Sequence, residues 1–137
     1  VWDVPEGWTD AGSGGMREVN LSFAEGNAEC YVMKAGGTLE ANVNRWRGQM
    51  GLEPIDMTEI VALERREIFN SQAFEVVLDG TFTGMGAEPR ENYRLQGLIL
   101  PVSADLSLFV KMTGPKDTLV ANQDQFSAFC ASLRIEQ

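Results

Sequence analysis

The chain has 137 residues, 44% of them hydrophobic and 23% charged, which suits a single domain over 1–137 with a sizeable core and excludes a disordered chain or a coiled coil. Eleven Lys and Arg against twenty Asp and Glu give a net charge of −9, which argues against a nucleic-acid partner and against docking on anionic lipid. There is no His, so Ser-His-Asp catalysis, Cys-His catalysis and His-ligated zinc are excluded.

Residues 1–15 are turn-rich, with Pro5, Gly7, Gly12, Gly14 and Gly15, and Val4-Pro5-Glu6-Gly7-Trp8 reads as a turn that presents an aromatic. Val19, Leu21 and Phe23 alternate with Glu18, Asn20 and Ser22, the pattern of a half-buried strand. After a turn at Glu25-Gly26-Asn27, Cys30, Tyr31, Val32 and Met33 follow without alternation, as in a strand covered on both faces. Gly36-Gly37 breaks it and Thr38 is a good N-cap. Leu39, Val43, Trp46 and Met50 then lie within about 60° of one another on a helical wheel, which predicts a helix over 38–50. Gly51 ends it and Pro54 prevents its continuation.

Residues 53–64 read as an acidic loop, with at most one helical turn over Thr58 to Leu63. Strands are expected at Arg66–Phe69, around Phe74, Val76 and Leu78, and from Tyr93 through Leu95, Gly97 and Ile99 to a stop at Pro101. Residues 81–91 form a long connection before Tyr93. Leu106, Leu108, Val110 and Met112 make the last strand. Gly114-Pro115 opens a second helix over 115–132, whose stripe is Leu119, Phe126, Phe129, Cys130 and Leu133, with Asn122 a polar blemish on that face. The order β-β-α-β-β-β-β-α implies an α+β domain: an antiparallel sheet with two packed helices.

A Pro-x-Gly-Trp opening, a helix after the second strand, a late strand running into Thr113-Gly114-Pro115, and a final helix carrying Phe126-x-x-Phe129-x-x-Ser132-Leu133 together resemble the PsbP-like fold. That fold, an α/β/α sandwich, is shared with a Ran-binding nuclear-transport factor and with bacterial exported proteins. The run Ala41-Asn42-Val43-Asn44-Arg45-Trp46-Arg47-Gly48-Gln49 is similar to one in uncharacterised bacterial proteins that are exported or lipid-anchored. The resemblance implies a non-catalytic accessory or interaction module, periplasmic or membrane-anchored through a removed N-terminal signal. It supports fold more than function, and it carries no metal ligands to this chain. No apolar run approaches the roughly 20 residues of a membrane span. The chain opens on Val1-Trp2-Asp3, without initiator Met or signal peptide, as a trimmed chain would.

The candidate binding residues are Asn42, Arg45, Arg47 and Gln49 on the first helix, and Tyr93, which with Arg45 is a candidate to line a pocket. Asn42, Arg45 and Gln49 form a polar ridge beside the apolar stripe, and Arg is a forked donor for a carboxylate or phosphate. A basic spot is scarce in so acidic a chain, so an unknown protein or a small acidic ligand is the expected partner. The ridge and the 81–91 loop over one cleft would make a small-ligand or metal-binding protein, the alternative to the accessory module. The plainer account makes Trp46 core and has the arginines bond loop carbonyls or carboxylates.

No catalytic constellation is legible, and no cofactor is expected. Gly84-Met85-Gly86 lacks phosphate-loop spacing, and Glu53, Asp56, Glu59 and Glu64 lack EF-hand spacing, so they read as a solvated acidic face. Met33, Met50 and Met112 read as core. Cys30 and Cys130 are both core-like by pattern. If the second helix lies over the second strand they could bond, a closure worth roughly 4–5 kcal/mol on the chain-entropy model. A disulfide and two buried free thiols both remain open.

Overall fold

The computed structural model describes residues 2–10, 17–24, 28–69, 71–83 and 89–133. The expected turns at Gly12 to Gly15 and Glu25-Gly26-Asn27, and the Gly84-Met85-Gly86 segment, lie outside the described residues. The elements in chain order are β1 (Thr9–Asp10), β2 (Arg17–Phe23), β3 (Ala28–Gly36), α1 (Leu39–Gln49), α2 (Met57–Val61), β4 (Arg65–Ile68), β5 (Ser71–Phe82), β6 (Arg90–Ser103), β7 (Leu106–Pro115), α3 (Lys116–Ala121) and α4 (Gln123–Ser132). The described strands form one antiparallel sheet in the order β1-β2-β3-β7-β6-β5-β4. It consists of two meanders, β1 to β3 and β4 to β7, joined where Glu29–Gly36 runs against Leu106–Thr113.

Alternation along the strands builds a core on each face, because successive side chains point to opposite sides. On β6, Leu95 and Ile99 pack with Val43, Trp46 and Met50 of α1 and Ile60 of α2. Leu98, between them, packs instead with Leu119 of α3 and Phe126, Phe129 and Cys130 of α4. Helices therefore cover both faces, and the α+β expectation holds as an α/β/α arrangement. β3 is buried on both sides, as its unbroken apolar run implied: Cys30 and Val32 face one core, Ala35 the other.

α1 forms where its stripe and caps placed it. The Thr38 side chain accepts from the Ala41 amide at 3.1 Å. Gly51 follows the helix at φ 70°, a left-handed conformation that costs glycine little. The single helical turn expected near 58–63 is α2, which begins on Asp56, whose Oδ1 accepts from the Glu59 amide at 3.0 Å.

The second helix departs from expectation: it is two helices, α3 and α4, broken at Asn122. The polar blemish is the joint. Asn122 Nδ2 donates to the Thr118 carbonyl at 2.9 Å, and its Oδ1 accepts from the Trp8 indole at 3.0 Å. Trp8 ends a turn closed by its amide on the Pro5 carbonyl, and its ring stacks on Phe23 at 4.3 Å. The aromatic presented by that turn therefore points into the core. Near it the Asp3 amide donates to Ser132 Oγ at 2.9 Å, so the start of the described chain meets the end of α4.

β6 also runs past Pro101, which was expected to stop it. The pairing slips between Pro101 and Ser103, so the proline's missing N–H falls at an irregularity in the ladder. β5 and β6 extend into the 81–91 connection, reaching Phe82 and starting at Arg90.

A polar fringe fastens α4 at the edge of its core. Gln96 and Gln123 exchange amide hydrogen bonds at 2.6 and 3.1 Å. Arg66 pairs with Glu75 at 2.9 Å and donates to Ser127 Oγ at 3.0 Å. α1 is seated differently, by a close approach. A Cβ at Gly97 would lie 2.7 Å from the Val110 carbonyl and 2.8 Å from the Trp46 ring. Gly97→Ala is therefore expected to destabilise the fold by about 1–3 kcal/mol through overpacking. Urea unfolding measures it; an unchanged midpoint would mean that Trp46 does not rest on this strand.

Candidate functional site

The first-helix ridge is largely consumed by the fold. Asn42 is fully buried; its Oδ1 accepts from the Arg45 guanidinium, and its Nδ2 has no partner among the described residues. Arg47 Nε donates to the Glu53 carbonyl, as the plainer account of the arginines has it. Gln49 Oε1 accepts from Lys111 Nζ at 2.6 Å, and the Gln49 carbonyl accepts from both the amide and hydroxyl of Thr83 at 2.7 and 3.2 Å. Of the ridge, Arg45 is the residue left exposed. Asn42 and Gln49, expected to stand with Arg45 as a binding ridge, are instead bonded into the fold. On a helical wheel the inward arc runs about 120° from Gln49 through Trp46 to Val43, so both amides lie at its margin and turn inward.

Lys111 was not singled out from the sequence. Its side chain is only 5% exposed, with Nζ 5.1 Å from the Trp46 ring centre and 5.9 Å from that of Tyr31. The lysine stem packs with the rings and the ammonium reaches Gln49, so it ties α1 to β7.

Arg45 also serves the fold, since it satisfies a buried amide oxygen. Arg45→Ala is expected to cost about 1–2 kcal/mol, the penalty of orphaning that oxygen. In the Asn42→Ala background the same change should be nearly neutral. A double-mutant cycle by urea unfolding checks this; additive costs would show that the pair does not interact.

A cavity lies elsewhere, where β5, β6 and β7 end side by side. Gly80, Tyr93 and Pro115 are neighbours across the three strands. Just beyond, the pairing jumps from Gly80 with Tyr93 to Phe82 with Arg90, so Thr81 faces both Glu91 and Asn92. This is a β-bulge, and Asn92 takes φ 56° in it, a conformation Asn tolerates better than most residues. The displaced strand opens a cavity of about 380 Å³ lined by Asp79, Thr81, Glu91, Asn92, Tyr93 and Lys116.

Most of the lining side chains are polar, and some of them are committed. Arg94 holds Asp79 with two bonds, Nε at 2.7 Å and Nη2 at 3.1 Å, and Lys116 Nζ lies 3.4 Å from the same carboxylate. The Arg94 hydrogen bonds hold the Asp79 carboxyl below its ordinary 3.8. Tyr93 stacks on Phe82 at 5.7 Å, and its hydroxyl accepts from Arg90 at 3.0 Å. The side chains of Glu91 and Asn92 form no hydrogen bond or ion pair among the described residues. Tyr93 is the sequence candidate that reaches this cavity. The ridge touches the same corner indirectly, because Gln49 holds Thr83, next to the Phe82 that stacks on Tyr93. The bulge was not legible in advance, since no Gly marks its left-handed position.

Cys30 and Cys130 share the core under α4 as free, buried thiols. Burial pushes Cys130 up to about 12 and Cys30 well above its ordinary value, so neither is a thiolate at neutral pH. Among the described residues no group of three or more Cys, Asp or Glu could hold a metal ion, and no helix is long and apolar enough to cross a membrane.

No protein-family model matches the chain, and no curated protein matches it. Solved structures do. A protein from Bacteroides thetaiotaomicron is similar over 99% of this chain at 12% identity, with a TM-score of 0.55. The chain spans 44% of that protein's length. LpqN of Mycobacterium tuberculosis, described as involved in cell envelope biogenesis, is similar over 96% of this chain and 79% of its own, at 12% identity and a TM-score of 0.47. At such identity the Bacteroides likeness speaks to the fold alone.

Proposed function

We propose that the protein is a non-catalytic binding module that takes a small polar ligand in the cavity at the ends of β5, β6 and β7. One observation carries this reading: Glu91 and Asn92 stand on a bulge at a cavity, with side chains that form no hydrogen bond or ion pair among the described residues. Bulges re-aim side chains beside binding sites, and concave sites with a few convergent polar groups are where small ligands sit. The other groups support binding over chemistry. Both thiols are buried and held protonated. Asp79 is clamped by Arg94 and held ionised, which removes it as a general acid at neutral pH.

Nuclear magnetic resonance of the labelled protein against a library of small polar metabolites tests the reading. Shifts confined to Thr81, Asn92, Tyr93 and Lys116 are the expected result, with thermal stabilisation that grows with the ligand's concentration. A library that leaves those four signals in place rejects it. The PsbP-like resemblance supports an accessory role outside the cytoplasm as part of the same proposal. Fractionation of the full-length protein in its native cell checks that, and recovery in the cytosol rejects it.

A further inference from the structure

The walls of the cavity do not balance their charges locally. Asp79 is a single carboxylate shared by two cations, Arg94 and Lys116. That side therefore carries one positive charge in excess, in a chain whose net charge is −9. Arg94 is committed by its two bonds to Asp79. Lys116 touches the carboxylate once, at 3.4 Å, and an ammonium has three donors, so it can still bond elsewhere. Glu91 supplies the opposite charge from the bulge, with no ion pair among the described residues. The cavity thus offers one cation and one anion, and Asn92 and Thr81 add neutral polar side chains to its lining.

We propose that the cavity takes a small zwitterion of the α-amino-acid class, its carboxylate on Lys116 and its ammonium on Glu91. The inference rests on the reading of this cavity as the ligand site. An anion alone leaves Glu91 unanswered, a cation alone meets the excess charge beside Asp79, and a neutral polyol answers neither. A zwitterion answers both, and charge-assisted hydrogen bonds are the stronger kind. A cavity of about 380 Å³ is near the lower end for ligand sites and suits a single amino acid or a dipeptide.

Calorimetric titration of the purified protein tests this at neutral pH. L-Alanine and glycylglycine serve as zwitterions, N-acetyl-L-alanine as the anion, L-alaninamide as the cation and glucose as the neutral polyol. The zwitterions should bind, and each single-charge analogue and glucose should be weaker by about tenfold or more, the worth of one hydrogen bond to a charged group. Glu91→Gln and Lys116→Met should each weaken L-alanine by a similar factor. If N-acetyl-L-alanine, L-alaninamide or glucose matches the zwitterions, the ligand class is wrong while the cavity remains a ligand site. If no zwitterion binds at concentrations up to about 10 mM, beyond the weak millimolar range, the class is overturned as well. The metabolite screen then decides separately whether the cavity binds anything.

Discussion

The pairing of β3 with β7 is the constraint on which the rest of the molecule depends. Each meander pairs locally, but these two strands bring residues 29–36 against 106–113 and so close most of the chain into one loop. The entropy of that closure grows only slowly with loop length, and the return is a continuous sheet with a core on each face. Its register assigns every side chain. Cys30 opposite Met112 and Val32 opposite Val110 face α4, whereas Tyr31 opposite Lys111 and Met33 opposite Phe109 face α1. A slip of one residue would carry Lys111 into the apolar cluster beneath Phe129 and turn Val110 away from it, so the register is strongly held.

The two faces are fastened by different means. α1 is seated by shape, with the Trp46 ring on the bare backbone of Gly97 and edge-on to Phe109 at 5.0 Å. α4 combines the buried rings of Phe126 and Phe129 with the Gln96–Gln123 and Arg66–Glu75 pairs along its margin. Apolar contact supplies most of the driving force, but it is non-directional. The paired amides satisfy each other only in one placement of the helix, so they select its position more than they add to its stability.

Local pattern explains which parts were legible in the sequence. α1 and most strands follow from the spacing of Leu39, Val43, Trp46 and Met50 and from alternation in β2, β5 and β7, because those periods are imposed by the element itself. What was missed depends on residues far apart in the chain. Asn122 reads as a flaw in a helix until Trp8, 114 positions away, bonds it. Gln49 reads as part of a binding ridge until Lys111 reaches it across 62 positions. The cavity is a harder case still. It arises where three strands end together and one of them bulges, and neither event leaves a composition signal when Asn92 stands where Gly is usual. Of the site residues read from sequence, Tyr93 lies at the cavity, whereas Asn42 and Gln49 are absorbed into packing.

The bond between the Asp3 amide and Ser132 Oγ has an architectural consequence. Because Asp3 meets Ser132, the chain enters at residue 3 and leaves at residue 132 through one point, the geometry of a fold that can interrupt a host polypeptide at a single loop without stretching either side. It can also be carried at a terminus on one short tether. The three strand ends that form the cavity belong to the interior of the fold's sequence, so neither kind of attachment requires altering them. The same geometry makes the domain a candidate for circular permutation, with new ends opened in the β6–β7 hairpin at Ala104, which is exposed and lies at the other end of β6 from the cavity-lining Glu91, Asn92 and Tyr93.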